Sequence, residues 1–402
     1  MRRLAFPKGR TAIILIAALF ILMAPGCRKE SHAATEAPDP KAGESAETVQ
    51  PPQVNEASDN SRNPADSHVG SEPEPDNAWE IDSPENHNMD SRLFSQLHAA
   101  LSQTESIHSM VTVKDGYLID EYYKEGYDEN SVFRLNSCSK SFTGALIGIA
   151  IDRGLIGTTD ARLSEFLPQL EDSGSDYQKQ ITLEHLLTHT SGIEWHEWGG
   201  NSSSWRPFQE AENWVDYILG LRVAAEPGSY FAYSTGGSHL LAAALQQAAG
   251  KSAYEFGQEH MFEPMGMDSV EWSADPQGIT DGGNGIAVTA RDAAKFGQLY
   301  LDGGRWRGQQ IIPESWVELS TMTQNAGPGG HSGAYGYQWW LRSFGEENYE
   351  TCYAMGYAGQ FIIVVPELQL VTVITSRSTV DTYAPWAYFT DYVLASYKGR
   401  GP

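Results

Sequence analysis

The rhythm of hydrophobic and polar positions changes several times along the chain. Residues 12–24 form an apolar run behind Arg2, Arg3, Lys8 and Arg10, closed by Pro25-Gly26-Cys27. That run is too short to span a bilayer comfortably as a mature helix. Residues 28–90 then carry almost no large apolar side chains. From Ser91 the pattern becomes that of a packed domain. Leu93, Phe94, Leu97, Ala100 and Leu101 recur with a helical period, predicting a helix over 91–102. Residues 110–113 and 117–123 flank Asp115-Gly116, a strong hairpin signal. Residues 137–153 are apolar almost all round, which predicts a buried helix stopped at Gly154. Residues 155–345 read as helical patches broken by Gly and Pro. The clearest are 183–187, 238–249 closed by Gly250, and 289–301 closed by Gly303. The period then falls to two. Residues 361–365 and 370–375 predict strands joined at Pro366-Glu367, and 385–397 a closing helix.

Strands near both ends and helices between them predict an α/β domain. Its antiparallel sheet is built from the N- and C-terminal hairpins and flanked by the first and last helices, with a mostly helical insertion lobe. A small-molecule site is expected in the cleft where the lobes meet.

Composition narrows the function. With 27 Lys+Arg against 52 Asp+Glu the net charge is −25. That excludes the electrostatic footprint of a nucleic-acid binder, and any membrane attachment must come from something other than a basic patch. Three cysteines in 402 residues exclude a disulfide scaffold. The basic start and short apolar run predict a secretory signal. Ala24-Pro25-Gly26-Cys27 resembles the bacterial lipobox, which implies a diacylated Cys27 as the mature N-terminus; the alternative is an ordinary signal peptide with an incidental cysteine. Residues 28–90 hold fifteen Asp/Glu and four Lys/Arg, a composition unable to bury enough apolar surface to fold. The expected organisation is a lipoprotein signal over 1–27, an acidic disordered linker over 28–90 and a folded domain over 91–398. The protein would be exported and held by its lipid anchor at the cell-envelope membrane, with the domain outside the cytoplasm.

Ser137-Cys138-Ser139-Lys140 opens the buried helix. Residues three apart on a helix share a face, and free N–H groups at a helix start favour negative charge. A serine hydroxyl needs a base within reach, and Lys140 serves if burial lowers its pKa. A capping Ser with a snorkelling Lys is the plainer reading. His185 and His189 stand at i and i+4, with His196 and Glu197 near in sequence, which raises a zinc site. The Glu of His-Glu-x-x-His is missing, however, and no metal is expected. Trp195, Trp198, Trp205 and Trp214 crowd one stretch, either as cleft walls for an apolar substrate arm or as packing between lobes. Cys138 and Cys352 are expected to be free buried thiols.

The run Phe133-Arg134-Leu135-Asn136-Ser137-Cys138-Ser139-Lys140-Ser141-Phe142 resembles the nucleophile region of the serine β-lactamase-related family. That family includes class C β-lactamases, related penicillin-binding proteins, esterases and amidases of the 6-aminohexanoate-dimer hydrolase type. The resemblance continues in order at 183–192 (Leu-Glu-His-Leu-Leu-Thr-His-Thr-Ser-Gly), at Glu226-Pro227-Gly228 through Tyr233-Ser234-Thr235, at Gly282 to Asp292, and at Gly356-Tyr357-Ala358-Gly359-Gln360-Phe361. It spans about residues 91–398 and implies a β-lactamase/transpeptidase-like fold.

By this resemblance Ser137 matches the acylated nucleophile, Lys140 its proton-shuttling partner and Tyr233 the Tyr of Tyr-x-Asn, a general base or acid. Thr235 stands where that motif has Asn. Tyr357-Ala358-Gly359 stands at the Lys-Thr-Gly or His-x-Gly position, on an edge strand lining the cleft. There Tyr357 replaces the Lys or His, and Gly359 lets backbone approach substrate. The backbone N–H groups of Ser137 and Gln360 match the oxyanion hole.

The implied protein is a serine hydrolase acting on an ester or small amide through an acyl-enzyme on Ser137, with no cofactor. One alternative is a D-alanyl-D-alanine carboxypeptidase or penicillin-binding-like enzyme working on cell-wall peptides. Another is a catalytically silent cell-wall-binding or sensor module on the same fold.

Overall fold

The computed structural model describes residues 78–198, 203–328, 333–345 and 347–399. The signal, Cys27 and the first part of the acidic linker lie outside the described residues. Among the described residues no helix is long and apolar enough to cross a membrane.

The first expected hairpin is present as Ile107–Lys114 (β1) and Tyr117–Tyr123 (β2). Asp115 and Gly116 both take positive φ between them, as a tight hairpin turn requires. Three short strands follow in the middle of the chain, Val132–Arg134 (β3), Glu271–Trp272 (β4) and Ile286–Thr289 (β5), and pair in the order β3-β5-β4. Arg305–Trp306 (β6) and Gln309–Gln310 (β7) make a small separate hairpin. The last group is Ala334–Tyr335 (β8), Trp340–Phe344 (β9), Tyr349–Gly356 (β10), Gln360–Val365 (β11) and Leu370–Ser376 (β12).

The seven-stranded sheet runs β2-β1-β12-β11-β10-β9-β8. The two terminal hairpins therefore join as expected, through antiparallel β1 and β12 with Val111 opposite Val373 and Val113 opposite Val371. The sheet extends further than the sequence pattern indicated. β8 and β9 fall in the stretch read as helical, but they are too short and too interrupted by Gly to show a two-residue period.

Alternation along the strands builds two cores. Val111, Val113, Ile362, Val364, Val371 and Val373 face the helical lobe. Ile107, Met110, Phe361, Ile363, Leu370 and Ile374 face the terminal helices. Ser91–Ser102 is a helix capped by Asp90, whose carboxylate accepts from the Arg92 N–H. The closing helix is irregular: an α-turn at Trp386–Tyr388, a π-turn at Phe389–Val393 and a 3₁₀ turn at Leu394–Ser396.

The linker expected to end at residue 90 is corrected here. Residues 78–90 lie against the domain. Met89 is fully buried beside Phe94 and Leu97, Ile81 bridges Leu118, and the Trp79 indole donates to the Arg291 carbonyl at 3.1 Å. Apolar side chains spaced through an acidic stretch are enough to dock it.

Candidate active site

Ser137 sits in a 3₁₀ turn, Asn136–Cys138, that runs directly into the helix Ser139–Asp152. The turn is tied on two sides. Asn136 has φ +49, a conformation Asn tolerates better than most residues, and its amide donates to the Tyr357 carbonyl at 2.8 Å. On the other side Ser139 Oγ donates to the Asn136 carbonyl at 2.6 Å and accepts from the Ile286 N–H of β5. The turn is thus clamped between the two sheets with Ser137 partly exposed.

One turn later Lys140 is 1% exposed. Its Nζ donates to Ser137 Oγ at 3.0 Å, to Thr235 Oγ1 at 2.8 Å and to the Gly283 carbonyl at 2.7 Å. Burial pulls its pKa down to about 8 against the attraction of Glu197 and Asp281. A Cβ on residue 283 would stand 2.6 Å from Thr235 Cγ2, so a glycine is needed for that carbonyl to reach the lysine.

Tyr233 precedes the helix Thr235–Ala249, whose N-cap is Ser234. Its ring lies under Lys140, 4.9 Å from Nζ, and stacks with Trp198 at 5.7 Å and with Trp340 at 5.4 Å. Burial, reinforced by Glu197, holds its phenol well above the ordinary range, while a hydrogen bond with the Ser137 side chain acts the other way. Two local pairs far apart in sequence, Ser137 with Lys140 and Tyr233 with Thr235, are thus brought together.

In the sequence Glu197 entered only as a neighbour of the zinc candidate at His185 and His189; in the structure it belongs to the lysine's surroundings. Its carboxylate accepts from the Thr235 hydroxyl at 2.6 Å, the Thr235 N–H at 2.9 Å and the Trp195 indole at 2.5 Å. Thr235, standing where the motif has Asn, therefore gives its proton to Glu197 and receives one from Lys140.

Tyr357, Ala358 and Gly359 are not on an edge strand. They form the turn between β10 and β11, and β11 is interior to the sheet. Gly359 answers a demand of that turn: its φ is +86, and a Cβ would meet Pro385 at 2.6 Å. The Tyr357 side chain is 56% exposed. The Gln360 backbone reaches the serine turn, with its carbonyl 3.7 Å from Cys138 Sγ, and its side-chain amide clamps the Ser376 backbone.

The two histidines have other work. His185 Nδ1 accepts from the Thr182 N–H in a helix cap, and His189 Nδ1 accepts from the Ser234 N–H just after Tyr233. Among the described residues no cluster suits a metal ion. The tryptophans divide. Trp195, Trp205 and Trp214 pack around buried Phe208, whereas Trp198 is 68% exposed over Tyr233. Cys138 and Cys352 are both free and buried.

Known proteins share this fold. The model of the Beta-lactamase family matches residues 94–391. The chain is 24% identical over 253 residues to 6-aminohexanoate-dimer hydrolase of Paenarthrobacter ureafaciens, covering 58% of this chain and 63% of that one. It is 31% identical over 150 residues to D-alanyl-D-alanine-carboxypeptidase/endopeptidase AmpH of Escherichia coli (strain K12), covering 37% and 38%. The chain thus spans less than two thirds of either relative. The octameric penicillin-binding protein homologue from Pyrococcus abyssi has the same fold, with TM-score 0.61, 20% identity and coverage of 76% and 77%.

Proposed function

The chain belongs to the beta-lactamase family, and from that premise we propose that it is a serine hydrolase cleaving an ester or small amide through an acyl-enzyme on Ser137. The observation that carries this reading is the 3.0 Å hydrogen bond between Lys140 Nζ and Ser137 Oγ. It is made by an amine whose pKa of about 8 leaves an appreciable neutral fraction near neutral pH. Ser137 Oγ attacks the carbonyl and its proton passes to neutral Lys140. The developing oxyanion is received by the backbone N–H groups of Ser137 and Gln360. Tyr233, held as a phenol by burial, protonates the leaving alcohol or amine and is reprotonated from Lys140. Water then attacks the acyl ester by the same groups in reverse, and no step calls on a cofactor.

The substrate side favours a neutral molecule. Tyr357 offers a hydroxyl and an aromatic face where a cation would receive a carboxylate. Trp198 adds an exposed apolar slab on Tyr233. Likeness to 6-aminohexanoate-dimer hydrolase supports a small substrate. Likeness to AmpH supports the second reading, an enzyme acting on cell-wall D-alanyl peptides.

A fluorophosphonate tests the chemistry. One adduct is expected, on Ser137, and none in Ser137→Ala. Labelling that persists in that variant overturns the assignment, and an unlabelled wild type favours a silent binding module. A panel of p-nitrophenyl esters, small amides, D-amino-acid peptides and β-lactams separates the substrate classes.

We also propose that the protein is exported and lipid-anchored through Cys27. Labelled palmitate should enter the wild type and not Cys27→Ser.

A further inference from the structure

The hydrogens around Lys140 can be assigned from their partners. Glu197 Oε2 accepts from two obligate donors, the Thr235 N–H and the Trp195 indole. Oε1 is left for the Thr235 hydroxyl at 2.6 Å. A hydroxyl has one proton, and Thr235 spends it on Glu197. Towards Lys140, 2.8 Å away, it is therefore an acceptor alone. The Gly283 carbonyl, at 2.7 Å, is likewise an acceptor alone. Two of the tetrahedral positions of Lys140 Nζ are thus fixed as N–H. A third faces Ser137 Oγ at 3.0 Å. On the ammonium that position holds an N–H; on the neutral amine it holds the lone pair.

We infer that Glu197 is a positioning residue for acyl transfer: by holding the Thr235 proton it aims the Lys140 lone pair at Ser137, and by its charge it keeps the resting lysine protonated. The inference rests on Ser137 being the nucleophile. Without Glu197 the Thr235 hydroxyl is free to turn and donate to the lone pair, which takes the base out of use. Asn at position 235 would divide the same two tasks between its oxygen and its amide nitrogen. Here a hydroxyl and a carboxylate from another segment share them.

The groups that act on Lys140 come from several elements. Glu197, in the irregular stretch after β-bridge residue Ile193, and buried Asp281, in the loop before Gly283, both favour its charged form. Cys138, in the turn that leads into the lysine's helix, acts in the same direction. The Tyr233 ring lies 4.9 Å below. Buried His189 stands behind Tyr233, its rings 4.6 Å away, and its own pKa is held well below the usual range by burial and by Lys140. Burial lowers the lysine to about 8, with the two carboxylates opposing. Removing Glu197 must lower it further, so the acid limb of the reaction must move to lower pH.

The experiment follows fluorophosphonate labelling of Ser137 against pH, with circular dichroism and thermal melting on every variant. In the wild type the rate should rise through a limb near pH 8. Gln at 197 presents its carbonyl to the two N–H donors and its NH2 to Thr235, which turns the hydroxyl towards Lys140. Glu197→Gln should therefore move the limb down by about one pH unit and lower the plateau by about 10²-fold, the lower end of general acid–base help. Glu197→Asp, which keeps the charge, should retain a limb near the wild-type pH. Adding Thr235→Val to Glu197→Gln should cost nothing more, since the quenching proton is gone. Should Glu197→Gln fail to fold, Thr235→Val alone is read: it keeps the carboxylate's charge but removes an acceptor that orients Nζ, so its limb should stay near the wild-type pH while its plateau falls, and an undiminished plateau overturns the inference. In Glu197→Gln, a limb left at its wild-type pH, whatever happens to the plateau, overturns the inference. A wild type unlabelled at Ser137 overturns the hydrolase reading itself, and this inference with it.

Discussion

The Trp198 indole lies flat on the Tyr233 ring, with 5.7 Å between centroids and 9° between planes. One face of Trp198 is spent on the tyrosine, yet 68% of the residue stays exposed. Trp340 supports the same tyrosine at 5.4 Å. Losing Trp198 should therefore leave Tyr233 in place while removing apolar surface from the mouth of the site. Trp198→Ala should raise KM for an aromatic ester by about 3–10-fold, the range of one aromatic contact, with kcat changed less. Steady-state kinetics on phenyl and methyl esters check this. An equal effect on both would mean that Trp198 does not contact the substrate.

Lys140 and Tyr233 are expected to behave as one proton-transfer unit, since Nζ sits over the phenol ring and both bond Ser137. Lys140→Ala and Tyr233→Phe should each lower kcat/KM by ~10²–10⁴-fold. The double variant should lose far less than the product. Full multiplicativity, measured on one ester, would show that the two act independently.

Much of this was legible in the chain because its signals are local. Periodicity placed the helix at 91–102 and both hairpins, and Gly250 marked a helix end, where it takes φ +68. The Ser-x-x-Lys spacing shows which two side chains share a helical face. What was hidden depends on contacts across the fold. Glu197 and Thr235 are 38 residues apart, and no periodicity links an irregular loop to a helix start. β3 and β4 are three and two residues long, below any repeat. The structural demand on Gly359 was hidden as well, because sequence does not show that Pro385 fills the space beside it.

Gly283 leaves no room for a side chain beside Lys140. A methyl there would press on Thr235 Cγ2 at 2.6 Å and on the Thr235 carbonyl at 2.8 Å. Either Thr235 or the Gly283 carbonyl must move, and Lys140 loses an acceptor. Gly283→Ala should cost ~1–3 kcal/mol of stability, as overpacking does. It should also lower activity at temperatures where the variant is still folded. Thermal melts and kcat/KM measured together test this, and a normal kcat/KM would remove the carbonyl from the lysine's supports.

The docked segment ahead of the first helix sets where the chain can be shortened. A fragment starting at residue 78 should keep full activity and stability. One starting at residue 91 loses fully buried Met89 and the Trp79–Arg291 bond. Emptying a buried methionine site alone typically costs ~2–5 kcal/mol. The shorter fragment should melt well below the longer one by calorimetry, and equal melting temperatures would mean that the segment contributes nothing.

The enzyme should be a poor β-lactamase and a better esterase or small-amide hydrolase. Tyr357 stands in the turn that hands β10 to β11, and its carbonyl is tied to Asn136 beside the nucleophile. The backbone at this position is therefore tied beside the nucleophile, and the side chain it carries has no positive charge. A β-lactam brings a carboxylate that gains a charge-assisted hydrogen bond from a Lys or His there, one of the stronger polar contacts. The net charge of −25 works against an anion a second time, by disfavouring encounter. A neutral ester loses nothing on either count. Tyr357→Lys should raise kcat/KM for nitrocefin and leave a short p-nitrophenyl ester within a few-fold, because the new cation meets only the anionic substrate. The comparison needs both substrates on both proteins at two ionic strengths, since the long-range part is screened by salt while the local contact persists. If the wild type hydrolyses nitrocefin at ~10⁴ M⁻¹s⁻¹ or more and prefers it to the ester, some other group receives the carboxylate and the argument from Tyr357 fails.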